Sequence, residues 1–221
     1  MDERIERAWQ CYQDAVFGGD SAGLSGADRE LDGVEADLAL ARGRIVHARF
    51  LQERDAGTAA EDPAELPLFE RAAELYRALG DVRGEGESLF WIGCFHQVVR
   101  RDNAAAAPYL NHSYELAAQA DDKLTMSEAL RHLGIAAHAG GEFDLARERL
   151  EQSTQLRREI NLLPGVAANL IGLAYIAAAQ ERRDDAVAIL DEAAALAKAS
   201  NAGRILRTVE QARAELRALD V

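Results

Sequence analysis

Residues 146–156 read ARERLEQSTQL, and the same frame stands at 106–116 as AAPYLNHSYEL and at 186–196 as AVAILDEAAAL. Alanine, leucine, a small residue and leucine recur as Ala106, Leu110, Ser113 and Leu116, as Ala146, Leu150, Ser153 and Leu156, and as Ala186, Leu190, Ala193 and Leu196. Offsets of four, three and three place these residues on one side of an α-helix. The copies lie 40 residues apart, which marks a tandem helical repeat whose units bury their apolar faces only by stacking on one another.

Each copy is preceded by a matching first helix. Leu89, Ile92, Gly93 and His96 correspond to Leu130, Leu133, Gly134 and Ala137, and to Leu170, Leu173, Ala174 and Ala177. The small residue lets two helices cross closely, because a larger side chain would hold the backbones apart. Starts of these copies are 41 and 40 residues apart, so the first unit carries one extra residue in its internal turn. Gly80, Asp121, Asn161 and Asn201 fall at the junctions between units, and these residue types tolerate a left-handed backbone just past a helix end. Asp102-Asn103, Gly140-Gly141 and Arg183-Asp184 mark the tight turns inside units.

Upstream the pattern loosens. Phe69, Ala72 and Leu75 repeat the second-helix frame, and Asp62-Pro63 predicts a helix over 63–79. Its partner is predicted over 34–53, packing through Val34, Leu38, Ala41, Ile45 and Ala48, with a loose loop at 55–61. Ile5, Ala8, Trp9, Tyr12 and Val16 form a further helical face that Gly18-Gly19-Asp20 breaks, followed by a short helix over 21–32. Residues 203–219, with Leu206, Val209, Ala212 and Leu216 on one face, predict a capping helix. The expectation is an all-α, right-handed solenoid in a single domain over 1–221: five antiparallel pairs near 2–32, 34–79, 83–119, 123–158 and 163–199, then the cap, eleven helices in all.

Composition narrows the function classes. A net charge of -13 repels phosphate backbones and anionic lipid surfaces, so neither nucleic acid nor membrane is an expected partner. Cys11 and Cys94 stand in separate apolar helical contexts, without disulfide or metal-ligand spacing. The charged start Met1–Arg7 does not read as a signal peptide, and the longest apolar run, Leu170–Ala179, is half of the roughly 20 residues a spanning helix needs. A cytoplasmic location follows as the expectation.

The first-helix pattern L-x2-[LI]-[GA] and the second-helix pattern A-x3-L-x2-[SA]-x2-L resemble those of tetratricopeptide repeats. The likeness covers residues 63–199 and differs in period, 40 here against about 34 in that family. The terminal proline and the first-helix tyrosine of the family pattern are mostly missing. It is most similar to the long-period repeats of large multi-domain actinobacterial regulators, although no G-x4-G-K-[ST] sequence occurs.

That resemblance implies a concave groove lined by first helices and a non-enzymatic module that binds a protein or peptide segment there. Carried over position by position, the inward residues are Phe90, Cys94 and Gln97, then Arg131, Ile135 and His138, then Ile171, Tyr175 and Ala178. Trp91 and His132 stand one residue further round, and Arg42, Arg44, His47 and Arg49 come from the helix before. Arginine, histidine and aromatic rings together suit an anionic or carboxylate-bearing ligand with an apolar part. A small-molecule sensor or catalyst of a regulatory or specialised-metabolite pathway is the alternative reading. Both compete with the plainer one, in which Trp91 and Phe90 are core residues and the arginines are solvated.

His47, His96 and His138 fall on successive first helices, but no helix carries an i,i+4 ligand pair. No metal, cofactor or catalytic residue is therefore assigned. Ser113 and Ser153 read as packing residues, Cys94 between Gly93 and Phe95 as buried, and Asp121-Asp122 and Asp184-Asp185 as caps. Trp9 and Tyr12 offer a surface for a homodimer.

Overall fold

The computed structural model describes residues 2–218. Ten α-helices are present among them: α1 (Glu3–Gln13), α2 (Leu24–Asp55), α3 (Glu65–Leu79), α4 (Val82–Val98), α5 (Asn103–Gln119), α6 (Lys123–Ala139), α7 (Phe143–Glu159), α8 (Leu163–Ala179), α9 (Arg183–Ala199) and α10 (Gly203–Ala218). No strand occurs among the described residues, and no helix there is long and apolar enough to cross a membrane. The last residue of the predicted cap, Leu219, lies outside the described range. The chain comprises two compact units, residues 1–116 and 117–221.

From α4 to α9 every helix is 17 residues long, and the 40-residue period is two such helices with their connectors. The extra residue of the first unit lies in the α4–α5 connector, 99–102, where the later counterparts, 140–142 and 180–182, have three residues. Left-handed backbone occurs at Gly80, Asp121, Asn161 and Asn201, the four predicted junctions. Within pairs it falls at Arg101, Gly141 and Glu181. The expected turn pairs Asp102-Asn103 and Arg183-Asp184 instead open the following helices, where carboxylates cap amides or complement the helix dipole.

Within each unit neighbouring helices pack, α2 on α3 and α3 on α4 in the first, and α6 on α7, α7 on α8 and α8 on α9 in the second. Leu110, Leu150 and Leu190 are fully buried or nearly so. At the crossings, a Cβ on Gly93 would stand 2.7 Å from Leu110 Cγ, and one on Gly134 3.1 Å from Leu150 Cγ. The repeated serines do more than fill space. Ser113 Oγ donates to the Gly86 carbonyl at 2.7 Å and Ser153 Oγ to the Ser127 carbonyl at 2.6 Å, each tying a second helix to its first.

The N-terminal part departs from expectation. The predicted helices 21–32 and 34–53 are one continuous 32-residue α2, because Gly26 and Gly33 lie within the helix and no proline interrupts it. The first pair is therefore α1 lying on the N-terminal half of α2. Arg4 bonds Asp37 and Arg7 bonds Glu30, which sets the two helices antiparallel. A π-helical turn, Asp14–Gly18, and left-handed Gly19 end α1 where the glycines predicted. The predicted packing stripe of α2 is reversed. Ala36, Ala39, Leu40, Gly43, His47 and Phe50 are buried, while Leu38, Ala41, Ile45 and Ala48 are exposed. At one point of this face only glycine fits, because Phe69 comes so close that a Cβ on Gly43 would sit 2.4 Å from its ring.

Candidate functional site

In the first unit the candidate residues gather where α2, α3 and α4 meet. Trp91 is stacked on Phe69 at 5.5 Å and edge-on to His47 at 5.4 Å and Phe90 at 5.1 Å. The Arg44 guanidinium lies 5.8 Å from the Trp91 ring centre and is ion-paired with Glu87. Burial lowers the Arg44 pKa, Tyr76 opposing this and Arg83 adding to it.

Beneath these groups is a polar line that sequence reasoning missed. Glu65 Oε1 lies 2.7 Å from His47 Nδ1, and His47 Nε2 lies 3.8 Å from Cys94 Sγ. Glu65 Oε2 is buried with no hydrogen-bond partner. Carboxylate, imidazole and thiol in this order match the logic of an activated nucleophile. Glu65, His47 and Cys94 are 0%, 4% and 3% exposed, however, so no substrate reaches the thiol in this conformation. Phe90 and Gln97 are buried as well, with Gln97 Nε2 donating to Asn103 Oδ1 at 2.9 Å. Glu65 stands at the first position of α3, and no sequence motif marked it.

In the second unit, α6 and α8 carry the candidates. Ile135 is 36% exposed, with half-buried Arg131 and His138 one turn away on either side along α6. Arg131 Nη1 donates to the Ala168 carbonyl and Asn169 Oδ1, both at 3.3 Å. His138 meets Phe143 edge-on at 5.6 Å. Tyr175 is half-buried on α8 and donates to Glu215 Oε2 at 2.6 Å; burial first, then this bond, push its pKa up to about 12. Ile171 is buried.

Arg131 is the outer member of a buried network centred on Asn169 and Arg157. Arg157 Nη1 donates to Asn169 Oδ1 at 3.2 Å and to the Gly165 carbonyl at 2.9 Å, and its Nη2 pairs with Glu128 at 2.7 Å. Asn169 Nδ2 donates to Ser153 Oγ at 2.8 Å. Desolvation lowers the Arg157 pKa, with Glu128 opposing it. A solitary asparagine in the apolar stretch Val166–Ala174 was the sequence signal for this network, since a buried amide requires partners.

His96 stacks on Tyr109 at 5.5 Å, so each of the three first-helix histidines is engaged with its own neighbours. Among the described residues no group of three histidine, cysteine or acidic side chains is placed to hold a metal ion. Cys94 is buried and Cys11 partly so.

A second concavity lies between α9 and α10. It has a volume of about 420 Å³, with Arg183, Arg213 and Arg217 around Val187, Leu190 and Leu216. Asp191 and Glu210 both pair with Arg213.

No family model matches the chain, and no curated protein matches it. Among solved structures it is similar to the crystal structure of BtubC (BKLC) from P. vanneervenii, at 16% identity over 90% of each chain with a TM-score of 0.45.

Proposed function

We propose that this chain is a tetratricopeptide-like, non-enzymatic binding module of the cytoplasm, and that the α6–α8 face of its second unit takes a peptide or partner segment. The observation that carries this reading is the exposed Ile135 flanked by Arg131 and His138 on a helix whose other sides are committed to packing. An apolar peptide side chain would cover Ile135, with the histidine ring and Tyr175 supplying edge and hydroxyl contacts. Arg131 would add a charge-assisted bond to a carbonyl or carboxylate.

Because Arg131 also bonds Ala168 and Asn169, its reversal would disturb packing, and Ile135→Glu is the cleaner probe. A displayed peptide library selected on the chain should enrich sequences whose binding drops at least about tenfold in Ile135→Glu, with the helical signal unchanged. Enriched peptides that bind Ile135→Glu as tightly as the original, or no enrichment at all, would rule the reading out.

The α9–α10 concavity supports the second reading, a small anionic ligand with an apolar part, because Arg183 and Arg217 line a leucine and valine floor beside Arg213, whose charge Asp191 and Glu210 already offset. Native mass spectrometry of freshly purified chain would then show an added small mass that Arg183→Glu removes.

A further inference from the structure

We propose that the exposed apolar stripe of α2 seats a second copy of this chain, the two α2 helices lying antiparallel. Leu24, Leu31, Leu38 and Ile45 recur every seven residues and are 43%, 37%, 47% and 57% exposed, on a helix whose opposite face is already buried against its own unit. Half-buried Val34 and exposed Ala41 and Ala48 follow the last three by three residues, completing the alternating three- and four-residue spacing of a coiled-coil seam. The stripe runs 21 residues, or about 32 Å of helix at 1.5 Å per residue. A seven-residue repeat drifts slowly around a 3.6-residue helix, so the seam favours a helical partner wound at a shallow angle.

Charge identifies the partner and its direction. Along one flank of the stripe stand Asp28 and Glu35, then Arg42 and Arg49, all exposed. A parallel copy would bring this flank against the opposite one, setting Glu30 beside Glu35 and Arg44 beside Arg49. An antiparallel copy sets Asp28 against Arg49 and Glu35 against Arg42, and two-fold symmetry repeats each contact. Glu35 keeps an exposed ion pair with Arg71, which leaves it half accessible. The other flank is occupied within the chain, by Glu30 with Arg7, Asp37 with Arg4 and Arg44 with Glu87. A helix acidic in its first half and basic in its second complements itself and needs no other protein.

α1 points the same way. It turns its arginines onto α2 and leaves Ile5, Trp9 and Tyr12 exposed, as the π-helical turn after it leaves Val16, with the Trp9 and Tyr12 rings stacked at 5.2 Å. An amphipathic helix with its apolar side outward enlarges the exposed apolar surface of the same unit beyond scattered single residues.

Sedimentation across a concentration series tests this. The chain should form a species of twice 24.0 kDa, and Leu31→Glu/Leu38→Glu should be monomeric with its helical signal intact, since both side chains are exposed in the single chain. Arg49→Glu should weaken the dimer about fivefold by placing like charges together at two symmetric sites, and Asp28→Arg/Arg49→Glu should recover it. A chain that stays at 24.0 kDa throughout, or a dimer indifferent to Leu31→Glu/Leu38→Glu, overturns the proposal. An Arg49→Glu dimer as tight as the original, or one that Asp28→Arg fails to rescue, overturns the antiparallel arrangement.

Discussion

At Gly93 a methyl group would meet Leu110 at 2.7 and 2.8 Å, whereas at Gly134 the nearest atom is 3.1 Å away and in the third copy Ala174 already carries the methyl. Close packing turns that difference of a few tenths of an ångström into an ordering of stabilities. Gly93→Ala should cost about 1–2 kcal/mol, overpacking outweighing the better helix propensity. Gly134→Ala should change stability by less than about 0.5 kcal/mol, both read by urea denaturation. The sequence showed that the position is small in every copy; only the crossing distances rank the copies. Tyr175 yields a pH signature. Its folded pKa is raised from 10.0 to about 12 by burial and by the bond to Glu215. The stabilisation is therefore complete below pH 10.0 and is lost as pH rises toward about 12. Tyr175→Phe should remove that alkaline slope from the unfolding profile, and a tyrosine ultraviolet titration showing only ordinary values near pH 10 would contradict the cause assigned.

At the level of helices, caps and cross-helix bonds decide which copies are held firmly. Asp122 accepts from the Thr125 amide and from its hydroxyl at the start of α6, while the equivalent N-cap positions of α8 and α9, Leu162 and Arg182, make no side-chain cap bond. Asp122→Ala should cost about 1 kcal/mol, and Arg182→Ala should be silent in the same melting experiment. Ser153 links α6, α7 and α8 by donating to Ser127 and accepting from Asn169. Ser153→Ala should cost about 1–3 kcal/mol because Asn169 is left buried without its acceptor. The third copy has Ala193 in this place, so the repeat pattern alone marked the serine as replaceable. Helix α2 shows the opposite limit of pattern reading. Its periodicity announced a helix, yet two faces of that helix carry apolar residues, and Leu31, Leu38 and Ile45 stand on the one left outside while Leu40 and Phe50 stand on the buried one. Hydrophobic size would bury Leu38 and Ile45; the face that packs is instead the one whose Gly43 admits the Phe69 ring.

For the molecule as a whole, the 38 acidic against 25 basic residues dominate long-range behaviour. A fluorescently labelled DNA duplex should show no binding at physiological salt, since a net charge of -13 opposes the counterion release that drives such association; saturable binding would overturn that expectation. Helical class, the 40-residue period, the junction residues and the extra residue in 99–102 were all legible in the sequence, because periodicity and left-handed turn chemistry are local properties read within a few residues. The burial of Cys94 was legible too, from its neighbours Gly93 and Phe95, but the Glu65–His47–Cys94 line, the Asn169–Arg157 network and the burial of Gln97 and Ile171 were not. Those depend on which of several apolar faces each helix turns toward its neighbour, and that choice is made by the fit of side chains far apart in the chain. The sequence by itself thus determined that helices would form and pair at a fixed interval, and the tertiary structure alone decided which polar groups are sealed inside and which apolar stripe on α2 faces outward.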